Sequence, residues 1–155
     1  MRVLGVDPGS FCTGYGVVDE IRGEVVYVDC GVISPKGALA ERLNGLYQGL
    51  KELIDDLSPE VLALETPFVA RNPKSALRLG QIQGVIALAA THALLPLYEY
   101  SPMEVKVALT GYGRATKEQV REMVKMLLRL DGDPILDASD ALAVAICHLH
   151  RCSGL

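Results

Sequence analysis

The chain has 155 residues, half of them hydrophobic and 22% charged, with a formal net charge of −4. Such a length and composition predict one globular domain over residues 1–155 and exclude a disordered or low-complexity polymer. The most apolar stretch, residues 84–97, is interrupted by Thr91, His92 and Pro96, and it is shorter than the ~20 apolar residues of a membrane span.

Residues 2–7 read as a buried strand that ends in Asp7 and the turn Pro8-Gly9-Ser10. Residues 13–19 and 24–33 read as two more strands, and their short connections imply an antiparallel meander. From Leu39 to Leu57 the apolar residues recur at helical spacing, and Ser58-Pro59 stops that helix. A strand over 61–65 ends in Glu65. After a loop over 66–72, Pro73 opens a long helix running to about Leu95, rich in Gly and Ala. A short strand at 98–100, a short helix over 102–109 and a Gly-rich loop over 110–115 come next. Residues 117–130 form an amphipathic helix with Val120, Met123, Val124, Leu127 and Leu128 inward, and the last helix starts near Asp137. This order predicts an α/β fold with a mixed five-stranded sheet flanked by helices.

Two of the strands end in a carboxylate. An acid there is poor core material, because burying an unpaired charge is costly or forces a pKa shift. Asp137 and Asp140 add an i,i+3 pair on one helix face. Together the four predict one acidic cluster that repels itself unless it holds a hard divalent cation. Three of these acids also have an ordinary reading. Asp-Pro-Gly is common turn chemistry, and acids favour helix N-termini. Glu65 has neither excuse.

Charge is unevenly spread. Residues 66–130 carry nine bases against four acids, while both flanking segments are net acidic. A basic surface around an acidic cluster suits phosphodiester chemistry, the bases holding the backbone and the acids the metal. Lys117 begins a run with Arg121, Lys125 and Arg129 at spacings of four, which predicts a basic helix face, with Glu118 and Glu122 as local partners. Lys106 has only Glu104 nearby. Cys147, His148, His150 and Cys152 match no common zinc spacing. The N-terminus runs straight into a strand without a secretion signal, and no CxxC occurs. A reducing cytoplasm with free thiols is therefore the expected compartment.

Several blocks, in order and at these spacings, are similar to the RuvC family of bacterial Holliday junction resolvases. They are Val6-Asp7-Pro8-Gly9-Ser10 with Thr13-Gly14-Tyr15-Gly16, Leu64-Glu65 followed by Phe68, Ser75 to Gln81, Val105-Lys106, Lys117 with Val120, and Asp137-Ala138-Ser139-Asp140-Ala141-Leu142-Ala143. The resemblance covers nearly the whole chain. It implies a ribonuclease H-like fold, a symmetric homodimer, and Mg²⁺-dependent paired nicking of four-way junction DNA. It also implies the RuvA–RuvB branch-migration proteins as partners.

By residue, the resemblance puts the catalytic acids and metal ligands on Asp7, Glu65, Asp137 and Asp140. It puts the aromatic that meets bases at the junction centre on Phe68, and basic residues important for DNA handling on Lys106 and Lys117. Some members carry His at the position of Asp137. Two Mg²⁺ ions about 4 Å apart are expected in such a cluster, with Mn²⁺ able to substitute. The expected products are 5′-phosphate and 3′-hydroxyl ends. Arg71, Lys74, Arg78, Arg114 and Arg121 are further candidate DNA contacts, with Tyr112 beside Arg114, and the small-residue helix over 74–95 is the candidate dimer face.

Three other readings stand beside this one. A sugar-kinase or actin-like ATPase also opens on Asp-x-Gly-Ser, but needs two such domains. A YqgF-like nuclease shares the first motif and acts in RNA processing. A non-catalytic junction-binding module would bind junctions and cut nothing.

Overall fold

In the computed structural model, residues 1–66 and 72–154 are described. The elements are β1 (Arg2–Asp7), β2 (Thr13–Ile21), β3 (Glu24–Ile33), α1 (Leu39–Leu57), β4 (Val61–Glu65), α2 (Pro73–His92), β5 (Leu97–Tyr100), α3 (Pro102–Thr110), α4 (Lys117–Leu128) and α5 (Leu136–Ser153). The five strands form one sheet in the order β3-β2-β1-β4-β5. β1–β2 and β2–β3 pair antiparallel, β1–β4 and β4–β5 parallel. The mixed sheet predicted from the order of elements is therefore present, with β1 at its centre.

Several boundaries differ from the sequence reading: β5 begins one residue earlier, at Leu97, and α3 ends one residue later, at Thr110. β2 extends to Ile21, because the hairpin turns on two residues only, Arg22 and Gly23, both at positive φ. α2 ends at His92 rather than near Leu95. Leu94 takes a left-handed conformation, and Pro96 follows two residues later. α4 ends at Leu128, since Arg129 is its left-handed C-cap. α5 opens on Leu136 with Ile135 as N-cap and no side-chain cap. Asp137 is thus not an N-cap, and its side chain is free for other work.

The sheet's two faces have separate cores. Side chains alternate along a strand. Leu4, Val6, Leu62 and Leu64 point to the face covered by α1 and α2, where they meet Leu46, Leu50, Ile82 and Ile86. Val3, Val61 and Ala63 point to the other face, against α5 and beneath α3 and α4. Asp7 and Glu65 follow the second set by the same alternation, so both face α5.

On that face the sheet carries glycine where α5 crosses it. A Cβ at Gly5 would overlap the carbonyl of Ala141, and one at Gly14 the carbonyl of Asp137. The helix answers with Ala138, Ala141 and Ala145, all buried. Small residues on both sides let the α5 backbone rest directly on β1 and β2. Residues Ala141 to Leu149 of α5 are all buried, so this helix is the central element of that layer.

Candidate active site

The acidic cluster is built by register. Val6 pairs with Leu64 in the parallel β1–β4 ladder, which brings Asp7 and Glu65 side by side one rung further on. The Glu65 rung is held by β5, where Glu65 pairs with Tyr100 and the Thr66 N–H donates to the Tyr100 carbonyl at 2.9 Å. Asp137 and Asp140 arrive from the first turns of α5, which Gly14 allows to approach. All four predicted acids therefore converge at one end of the central strands. None is fully exposed.

Their electrostatics show how strongly they interact. The Asp7 carboxyl is pushed up to about 9, chiefly by burial, then by a hydrogen bond with Glu65 and by the charges of Glu65, Asp140 and Asp137. Glu65 is also raised by burial, although its hydrogen bond with Asp7 and the charges of Lys117 and Lys106 pull it back. Asp7 is thus the group of the pair that keeps a proton. Burial raises Asp140 as well, against the pull of Lys117 and Arg121. Such a cluster holds excess negative charge that only a proton or a cation relieves.

Asp7, Glu65 and Asp140 line a cleft of about 260 Å³ together with Lys106, Lys117 and Val120. Asp137 stands beside this cleft and accepts a hydrogen bond from the Cys12 thiol at 3.1 Å. That contact raises the thiol pKa and keeps Cys12 protonated. Among the described residues, no group of three or more His, Cys, Asp or Glu side chains is arranged, as it stands, to hold a metal ion. All four carboxylates offer oxygen, which suits Mg²⁺ or Mn²⁺ rather than a soft metal.

The basic residues divide. Lys106 on α3 and Lys117 on α4 both line the acid cleft, and among the described residues neither is in an ion pair. The expected local partner of Lys106, Glu104, is engaged elsewhere. It closes the capping box of α3 with Ser101 and binds Arg151 at 2.6 Å. Arg121 does not line the cleft. Its Nε is buried, has no hydrogen-bond partner among the described residues, and lies 3.9 Å from Asp140 Oδ1.

Lys125 pairs with Asp133 at 2.8 Å and with Glu122, and Arg129 reaches Glu24. Of the basic face expected along 117–129, only Lys117 lines the cleft, and the other three each have an acid within ion-pair distance. Lys74 and Arg114 are exposed and Arg78 is partly so, with Tyr112 exposed beside Arg114. Phe68 and Arg71 lie outside the described residues. The Cys147–Cys152 tract is helix packing. His148 is buried against the Tyr100 hydroxyl at 2.8 Å, and all four cysteines are free.

Two contacts at the site escaped the sequence reading. Cys12 carries no motif of its own and meets Asp137 only across the fold. Phe11 is 75% exposed in the same loop. The available signal was its rarity, since the chain has two Phe and no Trp.

A central parallel pair of strands ending in carboxylates, an antiparallel hairpin at one edge and an acidic helix laid across them define a ribonuclease H-like fold with a nuclease-type acid site. The comparisons name the family. The sequence model described as "Crossover junction endodeoxyribonuclease RuvC" matches residues 3–148, and the chain belongs to this family.

A relative of that name from Syntrophotalea carbinolica is 50% identical over 152 residues, covering 97% of this chain and 94% of the relative. One from Alkalilimnicola ehrlichii is 51% identical over 151 residues, covering 97% and 92%. Among solved structures, T. thermophilus RuvC in complex with Holliday junction substrate superposes with a TM-score of 0.93 at 33% identity, covering 98% of this chain and 94% of that one. The yeast mitochondrial Holliday junction resolvase Ydc2 shares the fold, with a TM-score of 0.69 at 16% identity over 94% of this chain and 76% of that one. No helix among the described residues is long and apolar enough to cross a membrane.

Proposed function

We propose that this chain is a structure-specific endonuclease that resolves four-way DNA junctions by paired, symmetric, metal-dependent nicks during recombination and repair. The observation that carries the reading is the convergence of Asp7, Glu65, Asp137 and Asp140 at a cleft that Lys106 and Lys117 also line. Family membership supplies the substrate class, since a member of the same fold was solved with a Holliday junction.

Asp7, Glu65, Asp137 and Asp140 would hold divalent cations, Mg²⁺ by preference with Mn²⁺ able to substitute, and two per subunit on this reading. When bound, such ions activate water and stabilise the leaving 3′ oxygen. The residues fit hard cations, because the cluster is all oxygen and already holds a proton on Asp7 at neutral pH. Lys106 and Lys117 orient the scissile phosphate over the acids. Arg121 steadies Asp140 from behind. Lys74, Arg78 and Arg114 hold the backbone further out, with Phe68 and Arg71 as candidate contacts from the loop that follows Glu65. Hydrolysis breaks the P–O3′ bond and leaves 5′-phosphate and 3′-hydroxyl ends.

A two-fold enzyme delivers two symmetric cuts to a near two-fold junction. The exposed side of α2 suits that contact. Leu77 and Leu88 are exposed, and a Cβ on Gly80 or Gly84 would meet nothing within 4 Å. Among the described residues, this face leaves room for a second copy of the same helix to approach. The RuvA–RuvB complex is the proposed partner assembly, and the cytoplasm the proposed compartment.

Cleavage of a synthetic mobile four-way junction, with Mg²⁺ and with EDTA, tests this. Linear duplex and RNA–DNA hybrid serve as controls. Metal-dependent paired nicks on the junction alone are expected. Binding without cutting in any divalent metal would overturn the enzyme reading, and cutting only of RNA-containing substrates would move the assignment to RNA processing.

A further inference from the structure

Phe11 sits in the β1–β2 loop, and its neighbour Cys12 touches Asp137. The ring is 75% exposed and contributes to neither core. It is nevertheless held in place. The Arg42 guanidinium of α1 lies over it, 5.0 Å from the centroid. The same guanidinium donates from Nη2 to the Ser10 carbonyl at 2.7 Å, tying α1 to the loop. An aromatic ring with a cation fixed on it and most of its surface open to solvent is a ready platform for another flat π-system.

The location selects the partner. Beside the ring, a shallow depression runs to Ile82 of α2, and the first turns of α2 carry Lys74 and Arg78. Arg42 forms no salt bridge among the described residues. This ledge lies toward the α1–α2 side of the acids, whereas Lys106 and Lys117 lie toward the α3–α5 side. Lys106 and Lys117 thus flank the acids on one side, and Arg42 with the exposed face of Phe11 lies on the other. Nucleic acid presents both complements, phosphates for the cations and bases for the ring.

We infer that the Phe11–Arg42 ledge is a second DNA-contacting surface, on which Phe11 stacks against a base of the strand next to the cut while Arg42 serves a neighbouring phosphate. This rests on the junction reading above. Phe11 is a positioning residue for the strand and takes no part in the chemistry.

The test uses four-way junctions carrying 2-aminopurine at successive positions around the cut, with Ca²⁺ in place of Mg²⁺ so that binding is read without cleavage. Wild-type protein is expected to change the fluorescence at one position beside the cut. Phe11→Leu should abolish that change and weaken junction binding roughly tenfold, the effect of losing one stacked base. Phe11→Tyr should restore both, and Arg42→Ala should reduce the salt dependence of binding. An unchanged melting temperature for Phe11→Leu would show that the fold is intact. Wild-type affinity and fluorescence in Phe11→Leu would overturn this inference alone, as would a change in oligomeric state with DNA binding intact. Wild-type protein that binds no junction would overturn it together with the function it rests on.

Discussion

The two faces of the sheet are packed by different rules. Against α5 the contact is glycine on alanine, with no space for one more methyl group at Gly5 or Gly14. Against α1 and α2 it is Leu and Ile interdigitating, and the outer side of α2 keeps open space at Gly80 and Gly84. The first face holds charged groups at a fixed separation and tolerates nothing extra. The second has surface to spare. The carboxylates sit on the tight face together with Lys106 and Lys117, while the open side of α2 and the Phe11–Arg42 ledge lie toward the loose one.

The largest effect should come from removing charge on the tight face without touching its packing. Asp7→Asn is expected to reduce junction cleavage roughly a thousandfold, the several kcal/mol that metal-ion catalysis supplies, with junction binding retained in a gel-shift assay. Loss of binding as well would mean that Asp7 acts through structure and not through charge.

Next comes packing without charge. Gly14→Ala places a methyl group against the Asp137 carbonyl and should destabilise the protein by about 1–3 kcal/mol, read by urea denaturation. Cleavage should fall further than stability alone explains, because α5 carries Asp137 and Asp140 away with it. The matching change on the loose face, Gly84→Ala, lies mid-helix with open space for its methyl group and should instead stabilise the monomer by about 0.5–1 kcal/mol, because Ala is the better helix former.

The pH dependence of the metal-free protein sharpens the same contrast. Folded Asp7 is held at about 9 against an ordinary 3.8. Between those values the folded chain keeps a proton that the unfolded chain has lost. This contribution is therefore fully present below about pH 4 and disappears as pH rises toward 9. In EDTA the melting temperature should fall between pH 5 and pH 8. Added Mg²⁺ should raise it more at pH 8 than at pH 5, where protons compete for the same oxygens. A flat profile in EDTA would show that the cluster is not strained by its own charge.

The smallest effect on the fold is expected from Gly84→Glu on the outer side of α2. Surface changes of this kind cost about 0.5 kcal/mol or less. Two like charges brought together at a two-fold contact should still convert a dimer to a monomer in sedimentation velocity. An unchanged sedimentation coefficient would remove α2 as the dimer face.

The sequence by itself determined the order of elements, the carboxylates at two strand ends and the helical spacing of Asp137 and Asp140. These are local properties. A period of two or of 3.6 is written in adjacent residues, and an acid that ends an apolar run marks itself. Parallel pairing of β1 with β4 then makes neighbours of Asp7 and Glu65 with no further information.

Only the tertiary structure decided which group stands opposite each charge. Spacings of four placed Lys117, Arg121, Lys125 and Arg129 on one face, yet Arg121 turned to Asp140, Lys125 to Asp133 and Arg129 to Glu24. Glu104 left Lys106 for Arg151, 47 residues away. Cys12 found Asp137 across 125 residues, and Phe11 found Arg42. Periodicity says which way a side chain points from its own element. What waits there belongs to another element, brought in by packing of the layers, and its identity has no local trace in the chain.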